Sequence, residues 1–219
     1  QREYGIHSQR LDEAELRELE PHITGNALGA ALYPEDSQVQ PILAASHLLR
    51  LAREHGAQLV THAPVTELLR DGDRVIGART PKGDFHAAHT VNATGPWAGT
   101  IGELACVNVP VMPRRGFVLV TDQLPPMVPH KVDAAEYVDN VGSGDAGLQA
   151  SPVVEGTPAG TILIGSSRER VGFDSTISTE ALGRIARNAV ELFPFLSRVR
   201  MQRHYHGFRP FCPDQLPVI

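Results

Sequence analysis

Three apolar-rich runs, residues 65–69, 74–80 and 84–92, are separated by Asp71-Gly72-Asp73 and Pro81-Lys82-Gly83. Both separators carry turn chemistry, because glycine reaches the backbone angles of a tight reversal and aspartate or proline sets the turn up ahead of it. A chain with this pattern folds back on itself twice, so a three-stranded antiparallel meander is expected here. What precedes it reads as helix. Gln40-Pro41 puts proline at a first helical position, Ile42, Leu43, Ser46, Leu49, Leu51 and Ala52 make a broad face, and Gly56 follows as a C-terminal stop. A short strand at 58–61 is expected between helix and meander.

Before that helix, residues 11–19 carry leucines at helical spacing with acids in the first turn, closed by Pro21, and 27–33 reads as a strand ending in a turn at 34–37. After Thr94-Gly95 a helix is expected over 97–104. Strands follow at 116–121, near 131–138, and at 147–154, 161–165 and 199–208. One long helix over 179–193 interrupts them, with Ser178 or Thr179 as its cap and Pro194 beyond its end. The class is therefore α+β, with a second half that is mainly antiparallel sheet and a domain crossing near Pro110.

The net charge of -5, with lysines and arginines scattered, gives no nucleic-acid footprint. No apolar run approaches a membrane span, and the first residues lack the apolar segment of a signal peptide. Cys106 and Cys212 have no CxxC partner, which points to reduced thiols in a cytoplasmic setting. The chain opens without methionine and stops on the apolar run Leu216-Pro217-Val218-Ile219, so both ends read as cuts.

Chemistry has few places to sit. In Val91-Asn92-Ala93-Thr94-Gly95-Pro96-Trp97-Ala98-Gly99 an apolar strand is expected to end in small residues and turn into a helix. Such a junction lets backbone N–H groups approach an anionic ligand; its plain alternative is an ordinary strand-to-helix turn. His204 and His206 alternate on a strand, but no third ligand stands at metal-site spacing, so no metal is expected. Ser166 and Ser167 lie in no G-x-S-x-G pattern, and the glycines of Val141-Gly142-Ser143-Gly144-Asp145 lead into no helix and read as a flexible loop.

The segment from Val91 to Gly99 resembles the NATG-aromatic-A signature of the D-amino-acid oxidase family of FAD enzymes, where it follows a three-stranded meander. Asp36-Ser37-Gln38-Val39-Gln40-Pro41 is similar to that family's D-x-x-V-x-P lead into the preceding helix. His204-Tyr205-His206-Gly207-Phe208-Arg209-Pro210 and the residues to Ile219 resemble its aromatic-A-G-L-R-P-x-T-P-D-x-x-P-x-I segment, with His206, Phe208, Cys212 and Gln215 departing from it. Pro113-Arg114-Arg115-Gly116, Gly165-Ser166-Ser167-Arg168-Glu169 and Leu19-Glu20-Pro21 are lesser matches in the same order. Together they cover nearly the whole chain.

The resemblance implies a partial FAD-binding, Rossmann-like portion with the meander at 40–108, and a substrate domain made of 1–39 and 109–208. Residues 209–219 would begin the return to the FAD-binding portion. It implies that Val65 touches the adenine side of FAD through its backbone, and that Ala93, Thr94, Gly95 and Trp97 approach the flavin. Arg209 would hold the substrate carboxylate, because a planar guanidinium fork pairs both oxygens and fixes the α-carbon. Tyr205 and Tyr137 would shape the pocket. The implied reaction is hydride transfer from the α-carbon of a small amino acid or amine. The family's opening G-x-G-x-x-G and its late glycine-rich helix start are absent from this stretch, so alone it is expected to bind FAD weakly or not at all and to be inactive. A flavin-bearing β subunit of an opine, sarcosine or hydroxyproline dehydrogenase and a non-catalytic binding module both stay open, as does a homo-oligomer.

Overall fold

The structure is a computed structural model that describes residues 2–219. It divides into two compact units, Gln1–Asp36 with Val111–Ile219, and Ser37–Pro110. In chain order the elements are β1 (Gln9–Asp12), α1 (Glu13–Leu19), β2 (Gly29–Leu32), α2 (Pro41–Glu54), β3 (Glu67–Asp71), β4 (Arg74–Thr80), β5 (Gly83–His86) and α3 (Ala98–Leu104). Then come β6 (Met112–Thr121), β7 (Val132–Asp133), α4 (Glu136–Gly142), β8 (Gln149–Gly156), β9 (Ile162–Arg168), α5 (Thr179–Leu192) and β10 (Met201–Phe211).

The larger unit is built on a five-stranded sheet in the order β10-β6-β9-β8-β7, antiparallel throughout. Successive side chains of a strand point to opposite faces, and the register uses this to separate core from site. Phe117, Leu119, Val154 and Ile164 share one face. Against them α5 lays Ala181, Ile185 and Ala189, one residue per helical turn, all buried. Ser178 starts α5 by accepting the Ala181 N–H at 3.1 Å. The opposite face carries Arg114 beside Arg209, Gly116 beside Gly207 and Val118 beside Tyr205. In α1, Asp12 and Glu15 form a reciprocal capping box, each side chain accepting the other's backbone N–H at 2.9 Å.

The smaller unit holds α2, the β3-β4-β5 meander and α3. The meander turns fall where the sequence put them. Helix α2 forms as expected, but none of its residues is buried, and Ile42, Leu43, Leu48 and Leu49 stand exposed.

Four expectations need correction. Residues 58–61 form no strand, since no neighbouring strand pairs with them among the described residues. The third meander strand ends at His86 rather than Asn92. Ala87 still reaches the Ile76 carbonyl at 3.0 Å, but the Arg74 side chain then takes the Ala88 carbonyl at 3.0 Å in place of a backbone ladder. The strand expected near 131–138 shrinks to β7: Ala134 still donates to the Pro152 carbonyl at 3.1 Å, but Pro152 has no N–H to return and the ladder stops there. Tyr137 therefore lies on helix α4. Finally, β10 runs on through Phe211, so Arg209 is a strand residue within it.

Candidate active site

Arg209 stands on β10, directly across from Arg114 on β6. Its guanidinium bends back over Gly116, and Nη1 donates to the Ser167 carbonyl at 3.1 Å. Gly116 makes that path available. A Cβ there would sit 2.2 Å from Nη1 and 2.6 Å from the Ser167 oxygen, closer than any side chain tolerates. The P-R-R-G motif thus has a physical meaning: its glycine is the floor on which the Arg209 side chain lies.

Arg209 keeps a solvent-open flank. Packing against the sheet is nonetheless the largest influence on its guanidinium and holds its pKa below the ordinary arginine value. Repulsion from Arg168 acts in the same direction, while Tyr137 and Tyr205 oppose both. The structure thus brings Arg209, Tyr205 and Tyr137 into one neighbourhood, the tyrosines from different elements. Tyr137 receives the Arg168 guanidinium at 4.9 Å and Lys131 Nζ at 5.8 Å from its ring centre, and Arg203 lies 5.9 Å from the ring of Tyr205.

Sequence reasoning missed the other arginines. Arg114 donates to the Ser143 carbonyl at 3.2 Å and to Gln149 Oε1 at 3.1 Å. Desolvation lowers its pKa first, and Arg168, Arg170 and Arg209 push it further down. The signal was present in Pro113-Arg114-Arg115-Gly116 and Ser167-Arg168-Glu169-Arg170, which are dense in arginine. Arg115 has a different character: it pairs with Glu169 and Asp174, both at 3.0 Å, and ties β6 to the segment after β9. His206 is taken up in ring packing with Phe117 at 5.2 Å and Phe208 at 6.3 Å. Among the described residues no three His, Cys, Asp or Glu side chains could hold a metal ion.

In the smaller unit, Asn92 organises the signature turn. Its Nδ2 donates to the Ala98 carbonyl at 2.9 Å, and its Oδ1 accepts from the Thr94 hydroxyl at 2.8 Å. A 3-10 turn over Gly95–Trp97 then leads into α3, and no strand leads in, since Val91 lies exposed outside any strand. Gly95 takes φ +58 with nothing within 4 Å of where a Cβ would stand. Ala93, Thr94 and Trp97 are exposed. Val65 sits half-buried just ahead of β3, followed by the Thr66 N–H on the Arg79 carbonyl at 2.9 Å.

The family profile described as FAD dependent oxidoreductase (DAO) matches residues 1–219. The chain belongs to that family. Hydrogen cyanide synthase subunit HcnC of Pseudomonas aeruginosa is 32% identical over 212 residues, covering 95% of this chain and 47% of the relative. Glycine oxidase of the same organism is 31% identical over 223 residues, covering 97% of this chain and 56% of the relative. The chain thus spans about half the length of the curated relatives it matches. In three dimensions it is similar to glycine oxidase from Geobacillus kaustophilus, with a TM-score of 0.84 at 24% identity over 99% of this chain and 54% of that one. That likeness shows the mixed α/β fold of FAD-dependent oxidoreductases. FAD is the cofactor of this family, and the open turn at Ala93, Thr94 and Gly95 fits the edge of such a group, since small residues leave its backbone accessible. Among the described residues, no helix of the chain is long and apolar enough to cross a membrane.

Proposed function

We propose that the protein oxidises the CH–NH bond of an amine-bearing carboxylate whose carboxylate is held by Arg209. The observation that carries this reading is a guanidinium anchored in one lane, over Gly116 and on the Ser167 carbonyl, with no carboxylate partner among the described residues. A fork held this way presents fixed donors to one planar anion and so aims the α-carbon. FAD, when bound, supplies the two-electron acceptor for the hydride that leaves that carbon. As the hydride leaves, the nitrogen lone pair closes a C=N bond and the N–H proton passes to solvent. Water then adds to the imine and releases a carbonyl product and the amine or ammonia.

Within this reading Tyr205 and Tyr137 border the substrate, Ala93, Thr94, Gly95 and Trp97 approach the flavin, and the backbone of Val65 meets the adenine side. Residues 40–108 serve FAD binding, 1–39 and 109–208 form the substrate domain, and 209–219 begin the return. The free thiols of Cys106 and Cys212 support a reducing, cytoplasmic setting.

The test is a screen of the full-length protein against D-amino acids, glycine, sarcosine and hydroxyproline, followed by Arg209→Ala and Arg209→Lys. Loss of a charge-paired anchor is worth about 2–5 kcal/mol, so Arg209→Ala should lower kcat/KM by about 30- to 5,000-fold and Arg209→Lys by less. Unchanged turnover of every amine would sink the reading and favour a binding module. The 219-residue chain alone is expected to be colourless and inactive; flavin absorbance that survives gel filtration would overturn that expectation.

A relative named as a synthase subunit supports a second reading, in which the chain works in a hetero-oligomer and passes electrons to a partner. Peroxide formation against dye reduction by the full-length protein separates the two.

A further inference from the structure

Helix α4 spans only Glu136–Gly142, and a helix this short does not hold its own shape in water. The carbonyls at its C-terminal end have no partner within the helix and are met by side chains from outside it. Arg114 on β6 donates to the Ser143 carbonyl at 3.2 Å, Gln149 Nε2 on β8 donates to Ser143 Oγ at 2.8 Å, and Gln215 Nε2 donates to the Gly142 carbonyl at 2.5 Å. Arg114 and Gln149 belong to the sheet. Gln215 follows Arg209 on the chain, past the end of β10 at Phe211.

Gln215 keeps this place against its own backbone preference. Its N–H closes a turn on the Cys212 carbonyl at 3.0 Å, and its φ of 59 lies in the left-handed region, which suits glycine and strains a residue with a Cβ. Strain of this kind persists where the surroundings over-determine it, and it clusters at functional positions. What glutamine offers here over glycine is its amide, and that amide is on α4. Gln215 is also a position at which the chain departs from the family segment it otherwise resembles, so the contact is not one that segment prescribes.

Tyr137 stands in the first turn of α4, its ring against the Arg168 guanidinium at 4.9 Å and Lys131 Nζ at 5.8 Å. A helix of about two turns moves as one body, so what fixes its C-terminal end also fixes where that ring sits. We propose that Gln215 is a positioning residue for the amine oxidation: by fastening the end of α4 to the segment that follows the Arg209 strand, it sets the place of Tyr137 relative to Arg209. The inference rests on the reading that Tyr137 and Arg209 border one substrate.

The test uses the full-length holoprotein and its best screened substrate. Gln215→Gly removes the amide and relieves the strain, whereas Gln215→Glu keeps the strain and the length but turns an acceptor toward the Gly142 carbonyl. Losing one neutral hydrogen bond shifts a local equilibrium by about 3- to 12-fold, so Gln215→Gly should lower kcat/KM by about that factor and speed amide hydrogen exchange over residues 136–142 likewise. Its melting temperature should stay unchanged or rise. Gln215→Glu should lose at least as much activity with no gain in stability. In a Tyr137→Ala background, Gln215→Gly should change kcat/KM by less than about twofold, because the residue it acts through is gone. Three results overturn the proposal: a Gln215→Gly variant within about twofold of wild type, a loss of activity matched by a lower melting temperature in that variant, or an equal loss with and without Tyr137. If Tyr137→Ala itself leaves turnover intact, the underlying reading falls instead, and exchange over 136–142 then decides the role of Gln215 alone: faster exchange in Gln215→Gly keeps it as the hold on α4, and unchanged exchange overturns it.

Discussion

Replacing Gly116 with alanine perturbs the floor under Arg209 and the Ser167 carbonyl on which Arg209 is anchored. The new Cβ would stand 2.2 Å from Arg209 Nη1, where ordinary contact is about 3.5 Å, so the guanidinium must retreat by about 1.3 Å. The other neighbour is the Ser167 carbonyl at 2.6 Å, a backbone atom that cannot swing aside. The hydrogen bond between the two is therefore lost. Misplacing a positioning group by about 1 Å costs about 10²-fold in rate, or about 2.7 kcal/mol of transition-state binding. Parting β6 from β9 should add about 1–3 kcal/mol of lost stability. Gly207 supplies the control, because it is the cross-strand partner of Gly116 and a Cβ there meets nothing within 4 Å. The assay is kcat/KM of the full-length enzyme on its best screened substrate, beside a thermal melt. Gly116→Ala should lose about 10²-fold, and Gly207→Ala should stay within about threefold. A folded Gly116→Ala variant within threefold of wild type, or a Gly207→Ala variant that falls equally far, refutes the claim that Gly116 seats the arginine.

Two further outcomes concern stability. Ile185→Ala should destabilise the full-length protein by about 2–5 kcal/mol in urea, because Ile185 is fully buried between α5 and the sheet; a loss under about 1 kcal/mol would show that the helix is not held by that stripe. Glu20 is 2% exposed, and burial raises its pKa above the ordinary 4.5 even though His130 donates to Oε1 at 2.8 Å from its backbone and contacts it at 2.9 Å from its ring. A raised folded-state pKa means the native state binds more protons than the unfolded state, so this contribution is present below about pH 4.5 and is lost as pH rises toward the folded value. Glu20→Gln should remove that slope and gain on wild type as pH climbs from about 4.5 to 7.5. Parallel urea midpoints across that window would contradict it.

The legible parts of the fold were those fixed locally. Turn residues at Asp71-Gly72-Asp73 and Pro81-Lys82-Gly83 impose reversals whatever lies around them, and Ser178 with Pro194 brackets α5 from both ends. Illegible parts depended on partners. Residues 58–61 have the composition of a strand, but a strand exists only where another pairs with it. Tyr137 reads as strand until β8 is known to present Pro152 as the next rung, which ends the ladder and releases the chain into α4. Helix α2 shows the reverse, since its pattern was right while its broad apolar face buries nothing.

In the candidate site, Arg209 was singled out through its motif, whereas Arg168 and Arg114 were read only as letters in lesser motifs. Spacing could not separate them from Arg115, because all three lie in short runs beside small residues. The distinction lies in neutralisation, a property of three dimensions. Arg115 meets Glu169 and Asp174, which stand 54 and 59 positions along the chain, and so is spent on holding the fold. Arg114, Arg168 and Arg209 instead meet carbonyls, a hydroxyl, an amide and aromatic rings, which fix where each guanidinium points, and only Arg114 of the three also feels a carboxylate, that of Asp145, among the described residues.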